Sequence, residues 1–290
     1  MFIVGKNNGL NALSMMNLMG HLEIHYNKRR ANSISEARMA NLSGKKLTVL
    51  KLFLADEELV TEVDELLECL KPPSTLEYLF VKGWKGVRFP NWGIDELPKL
   101  VELHITDCTR CQHLPPFSGL PLLKTLTIDG CEELDMWDAS DDDSDREEGS
   151  SNNSLDWQCL KCLCTLRLVG IPKLDSLPRG IDGLTMLQML HICDLPNLRN
   201  LPESMGRLPQ LRDLWINQCP VLEALPRSFQ SLHLQCLKIT DCPMLRERIL
   251  SSEDDRRLIQ DIPTVKIYPP VEMVCHELIC SKGIPDCDAC

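Results

Sequence analysis

Residues Leu97 to Cys131 read "LPKLVELHITDCTRCQHLPPFSGLPLLKTLTIDGC", and the stretch says nearly the same thing twice. Leu100, Leu103, Ile105 and Cys108 return 23 residues later as Leu123, Leu126, Ile128 and Cys131. Two readings compete. Either Cys108-Thr109-Arg110-Cys111 is a reactive Cys-x-x-Cys pair, or the stretch is one structural phrase repeated along a scaffold.

The rest of the chain favours the phrase. The same frame, an apolar residue followed by others three, five and eight positions on, recurs at Leu163-Leu166-Leu168-Ile171, Leu187-Leu190-Ile192-Leu195, Leu211-Leu214-Ile216-Cys219 and Leu234-Leu237-Ile239-Cys242. Starts lie 23 or 24 residues apart except between Leu123 and Leu163, where 40 residues intervene. With looser spacing the frame extends to Met19-Leu22-Ile24, Leu47-Leu50-Leu52, Leu76-Leu79-Val81 and Ile262-Val265-Ile267. A period in the low twenties with L-x-x-L-x-L-x-x-C/N is the leucine-rich-repeat pattern, in which each unit gives one short strand and buries its apolar side only by stacking on its neighbours. The expected fold is therefore an α/β repeat solenoid, a horseshoe with a concave parallel sheet of about ten short strands and loops or short helices on the convex side.

Columns outside the strands agree. Leu114-Pro115, Leu177-Pro178, Leu201-Pro202 and Leu225-Pro226 align, followed by Gly119, Gly183 and Gly206. Proline there fixes φ where no sheet donor is needed, and glycine is expected to permit the return turn. Cys111 falls in the column of Leu134, Leu174, Leu198, Leu222 and Leu245, so both cysteines of the pair are expected to point inward and to be structural. A redox or metal role would instead need exposed thiols of low pKa. Helices are expected over "DEELVTEVDELLECL" (residues 56–70), from its three- and four-residue apolar spacing, and over "SISEARMANL", which opens with a Ser33 to Glu36 capping spacing.

Composition bounds the function. The chain has 290 residues, 43% of them hydrophobic, and a net charge of -11. That charge argues against a general nucleic-acid or anionic-membrane binder. Part of it is local, since "DASDDDSDREE" at Asp138 to Glu148 holds seven acids against Arg146. The expected organisation is a repeat domain over 1–270, irregular over 1–96 and regular over 97–270, with an acidic loop insertion at 138–154 and a Cys-rich C-terminal tail at 271–290. No transmembrane span and no secretory leader are read, fifteen cysteines suit a reducing compartment, and the expected location is cytoplasmic.

Signatures of catalysis do not appear. "SGKK" at Ser43 to Lys46 lacks the glycine and the terminal hydroxyl residue of a phosphate loop, and neither G-x-S-x-G nor H-E-x-x-H occurs. In the tail, Cys275, His276, Cys280, Cys287 and Cys290 have spacings that match no trusted zinc pattern. The reading is a binding module, not an enzyme, with no catalytic residue, no metal and no cofactor.

Four phrases carry a family resemblance: "SISEARMANLSGKKLTVLKL", "ECLKPPSTLEYLFVKGWKGVRFPNW", "LPKLVELHITDCTRCQHLPPFSGLPLLKTLTI" and "LIQDIPTVKI". In this order, from about Leu10 to Pro270, the chain resembles the C-terminal leucine-rich-repeat region of plant intracellular nucleotide-binding immune receptors, particularly the coiled-coil class. The resemblance implies a protein-binding region that recognises pathogen effectors, or host proteins they modify, and that holds a nucleotide-binding domain inactive. Implied partners are that domain, an effector or a guarded host protein. The coiled coil and the nucleotide-binding domain are absent from this sequence, so a receptor fragment is one alternative. A substrate-recognition module of a ubiquitin ligase is another, although Met1 to Leu18, ahead of the first expected strand, are too few for an adaptor-binding domain.

The strand frame names the candidate contact residues. Its central outward position holds Glu23, Lys51, Phe80, His104, Thr127, Arg167, His191, Trp215, Lys238 and Lys266. Aromatic residues and arginine anchor interfaces. The expected contact surface is accordingly Tyr78, Phe80, His104, Arg167, His191, Asp213, Trp215 and Lys238. A one-residue slip of the frame would exchange this row for the core row. Trp84, Phe89 and Trp92 are assigned to the core.

Overall fold

In the computed structural model, which describes residues 1–4, 9–26, 33–54, 63–90, 92, 97–114, 117, 120–135, 157–178 and 180–269, eleven strands form one sheet in chain order. They are β1 (Phe2–Val4), β2 (Met19–Tyr26), β3 (Lys46–Phe53), β4 (Tyr78–Lys82), β5 (Glu102–Thr106), β6 (Thr125–Asp129), β7 (Thr165–Val169), β8 (Met189–Cys193), β9 (Asp213–Asn217), β10 (Cys236–Thr240) and β11 (Thr264–Ile267). Every neighbouring pair runs parallel. The acidic stretch 138–154 and the tail 271–290 lie outside the described residues.

Ten strands fall where the leucine frame puts them, and β1 is one more. Its three residues are too few to show a period, and no L-x-x-L precedes them. The frame thus began one coil late, and Met1 to Leu18 do contain a strand.

Alternation sets which residues enter the core. Leu103 and Ile105 of β5 are buried while Glu102, His104 and Thr106 are half-buried on the other face. The inward pair repeats as Leu126/Ile128, Leu166/Leu168, Leu190/Ile192, Leu214/Ile216 and Leu237/Ile239, stacked in register. Burying each such side chain contributes roughly 1.5–3 kcal/mol, so the stack dominates stability.

Strands β4 to β10 are each followed by one residue at positive φ. Gly83, Asp107, Gly130, Gly170, Asp194, Gln218 and Asp241 occupy this column, with φ between 51° and 74°. The amides of Gly83, Asp107, Gly130, Gly170, Asp194 and Gln218 prolong the ladder by one rung, as in Asp107 N–H to Asp129 O at 2.8 Å and Gln218 N–H to Thr240 O at 3.0 Å. The chain then turns inward to the cysteine column. Cys108, Cys131, Cys219 and Cys242 are buried, and each thiol donates to the carbonyl two residues back, at 3.4, 3.7, 3.4 and 3.2 Å. Cys111 is buried too, its thiol directed at His113 O. The Cys108–Cys111 pair is thus part of the wall. The Cys108 thiol has the opposite of a reactive character: a hydrogen bond with Cys131 and burial push it well up.

On the return side, Pro202 and Pro226 sit extended just ahead of 3-10 turns at Glu203–Arg207 and Arg227–Ser231. Glu203 stitches the two turns together, accepting from Arg227 N–H and Ser228 N–H at 2.9 and 2.8 Å, and those bonds hold its carboxyl below the usual range. Gly206 lies within its turn. The reason for glycine there is not the turn, as expected, but packing, since a Cβ would come within 2.6 Å of the Ser228 carbonyl oxygen on the next coil.

Helix α1 (Ser33–Ala40) buries Ala37 and Ala40, and its Glu36 carboxylate reaches back to Leu10 N–H at 3.2 Å. Helix α2 (Val63–Cys69) is the described part of the second expected helix, with Leu66 and Leu67 buried. Beside it Trp84, Phe89 and Trp92 form an edge-to-face chain in the core, as assigned, and Trp92 Nε1–H donates to Leu67 O at 3.2 Å. Two helices were not expected, α3 (Pro243–Ser251) and α4 (Glu253–Arg257). Their signals were present: Pro243 opens α3, and Ser252 caps α4 by accepting from Asp255 N–H ahead of an acidic first turn.

Close coil packing at Gly206 predicts that Gly206→Ala lowers stability by about 1–3 kcal/mol through overpacking. A thermal melt followed by circular dichroism checks this, and an unchanged midpoint would mean that the two coils do not approach as described.

Candidate functional site

Strand register builds a continuous row on the face opposite the core. Glu23, Lys51, Phe80, His104, Thr127, Arg167, His191, Trp215, Lys238 and Lys266 are successive partners across ten strands. No slip of one residue has occurred. Neighbours in such a row stand about 4.8 Å apart, so their side chains touch.

At the N-terminal half the contacts are aromatic. The His25 ring stacks on Phe53 at 4.3 Å between centroids, Phe53 meets Phe80 at 5.3 Å, and Phe80 meets His104 at 6.3 Å. Tyr78 closes on His104 at 5.1 Å, with Lys51 Nζ 5.6 Å from the Tyr78 ring. Burial and then the nearby Glu102 push the Tyr78 phenol upward. Three residues of the expected surface, Tyr78, Phe80 and His104, thus meet in one cluster. Sequence reasoning missed His25 and Phe53, although both lie two residues beyond row members Glu23 and Lys51 and so on the same face.

A second cluster occupies the C-terminal half. The His191 and Trp215 rings meet edge to face at 5.4 Å and 77°, and Lys238 Nζ lies 5.4 Å from the Trp215 ring. Arg167 neighbours His191 on β7, and Asp213 stands two residues before Trp215 on the same face. The two clusters are separate, with Thr127 between them.

Exposure along the row differs from the expected pattern at two positions. Thr127 and His191 retain only 7% and 5% of their accessible surface. The side chain of Thr127 is too short to clear His104 and Arg167 beside it, and His191 is covered where its ring meets Trp215. Burial therefore pushes the His191 imidazole down to about 4, helped by the positive charges of Arg167 and Lys238. Near the strand ends Asp129 is shifted the other way, first by burial and then by Asp107, which itself pairs with Lys82 at 3.1 Å.

Unpaired polar atoms concentrate on this face. Among the described residues, six buried side-chain nitrogens or oxygens lack a hydrogen-bond partner, and five of them belong to Thr106, Thr127, His191, Trp215 and Thr240. The sixth, Ser228 Oγ, lies in a return turn. Unmade hydrogen bonds of this kind are costly and call for a reason.

Residues 10–131 match the sequence family described as R13L1/DRL21 leucine-rich repeats. The disease resistance protein RGA1 of Solanum bulbocastanum is 36% identical over 131 residues, which are 44% of this chain and 13% of that protein. RGA2 of the same plant, also named a disease resistance protein, is 33% identical over 134 residues, 44% of this chain and 14% of that protein. The stretch in common is thus about a seventh of each relative's length. Among solved structures, InlP of Listeria monocytogenes superimposes with a TM-score of 0.50 at 18% identity, over 80% of this chain and 59% of that one. At that identity the match concerns the fold alone.

The depressed His191 gives a pH dependence whose sign is fixed. In the unfolded chain this histidine takes up a proton near pH 6.5, in the folded one only near 4, so the unfolded state binds more protons between those values. Stability that is complete above about pH 7 falls on acidification, by about 2 kcal/mol from this group at pH 5. Urea midpoints of the wild type and His191→Gln, measured at both pH values, isolate the contribution. An equal loss in both proteins would mean that His191 is not held neutral.

Proposed function

We propose that this leucine-rich-repeat chain is the protein-binding region of a plant immune receptor, and that its free sheet face makes the contact. The observation that carries the reading is the row itself. Ten strands present side chains in unbroken register, and two clusters on that row hold the aromatic and arginine residues that anchor interfaces. Tyr78, Phe80 and His104 form one anchor, and Arg167, His191, Asp213, Trp215 and Lys238 the other. Relatives named for disease resistance over the same repeats support the immune setting.

Within that setting the region recognises a pathogen effector, or a host protein that an effector modifies, and restrains a nucleotide-binding domain until recognition occurs. Binding is the whole of its chemistry in this reading, and no reaction is assigned to it. The thiols of Cys108, Cys111, Cys131, Cys219 and Cys242 are buried in the wall, and the titratable groups of the face are spread along a row and not gathered around one reacting atom. Among the described residues no helix is long and apolar enough to cross a membrane. A receptor that reads effectors inside the cell places the chain in the cytoplasm.

The test is co-precipitation of the chain with the nucleotide-binding half of a related resistance protein, alongside Phe80→Ala and Trp215→Ala. The expected result is capture by the wild type and at least about fivefold weaker capture by one variant, the usual effect of removing an interface anchor. Capture unaffected by both substitutions, in variants with unchanged circular dichroism, would remove the face from the interaction. No capture would remove the restraining role.

A further inference from the structure

Charge on the central row runs against the charge of the chain. The protein carries a net -11, yet from Lys51 to Lys266 the row holds four cations and no acid. Three of these cations, Arg167, Lys238 and Lys266, lie within the last five strands that contribute to it. Some cations off the row have carboxylate partners, as in Lys82 with Asp107, Lys173 with Glu133 and Arg248 with Asp255. Among the described residues Arg167, Lys238 and Lys266 form no ion pair. The Arg167 charge acts on Asp129 and His191 without an ion pair to either, and Lys238 lies against the Trp215 ring.

Spacing makes this specific. From Arg167 to Lys238 the row crosses three strand intervals, about 14 Å. In an extended peptide, residues i and i+4 stand about 13–14 Å apart, and i, i+2 and i+4 project to one side. An acid at i therefore reaches Arg167, an acid at i+4 reaches Lys238, and the residue at i+2 lies over His191 and Trp215. That midpoint is the half-buried Trp215 ring packed against His191, an aromatic surface that suits an apolar or aromatic side chain.

Building on the proposed binding role of the same face, we infer that the β7–β11 end of the row takes an extended acidic segment of a partner protein, with two carboxylates four residues apart and an apolar residue midway. Guanidinium and ammonium groups that lack carboxylates in this chain obtain them from the partner. The two halves of the face then differ in kind, with aromatic stacking at β2–β5 and charge reading at β7–β11.

Labelled peptide Gly-Asp-Ser-Phe-Ser-Glu-Gly, titrated with the full chain by fluorescence anisotropy, tests this against a version with Asn and Gln for the two acids. The expected result is binding that weakens about tenfold on neutralising the peptide, weakens again in Arg167→Gln and Lys238→Gln, weakens with salt, and is unchanged in Arg199→Gln outside the row. Equal binding of charged and neutral peptides would overturn the inference. So would binding of inorganic polyphosphate as tight as that of the peptide, since the row would then be a general anion surface. If Phe80→Ala or Trp215→Ala abolishes capture of the nucleotide-binding half while neither peptide binds, the binding role stands and the acidic-segment inference fails. If capture ignores those substitutions, it is the binding role that fails.

Discussion

Everything in this fold depends on the lateral contact between one coil and the next. A single turn of about two dozen residues cannot enclose its own leucines, and a lone strand cannot satisfy its amides. Both needs are met only when Leu126 and Ile128 lie against Leu103 and Ile105 on one side and Leu166 and Leu168 on the other, with the backbone ladder running through all three strands. Stability is a sum of such nearest-neighbour terms. Close approach is the condition, and it explains features that look unrelated: Gly206 facing the Ser228 carbonyl, and the Glu203 carboxylate holding two amides of the following turn.

Parallel sheets are ordinarily covered on both faces, and their strands read as continuous apolar runs. Here they alternate. The return segments close the core on one side only, so the other face remains for polar and aromatic residues, and the sheet keeps its parallel ladder without a second layer. The column of positive φ at Asp107, Gly130, Gly170, Asp194, Gln218 and Asp241 turns the chain off the sheet after each strand. An aspartate or glutamine tolerates that backbone less readily than glycine, and the extra rung of the ladder offsets the strain.

Much of this was legible in the sequence because the governing signal is a period, and periods survive irregular detail. Leu100-Leu103-Ile105-Cys108 and its copies fix strand positions, the inward face and, by alternation, the outward row, all of which the register reproduces. What escaped lay where no period operates. Strand β1 is too short to repeat anything, and α3 and α4 are announced only by Pro243 and the Ser252 cap. Gly206 was read as conformational when contact with the next coil is the constraint. That error has a physical origin, since a sequence shows which residues follow one another along the chain but not which stand against each other between coils.

Exposure along the outward row was misjudged for the same reason. Strand alternation assigns Thr127 and His191 to the solvent side, and they are on it, yet their neighbours cover them. A face in register at about 4.8 Å intervals is crowded enough for side chains to bury one another. The row is thus a packed surface with its own interior, where the Trp215 indole and His191 imidazole contact each other while their nitrogens stay unpaired. A surface already ordered in this way gives up little side-chain entropy on meeting a partner, and the cost of its unmade hydrogen bonds is already present in the free chain. Both conditions favour recognition by a few fixed anchors over adaptation along the whole length of the sheet.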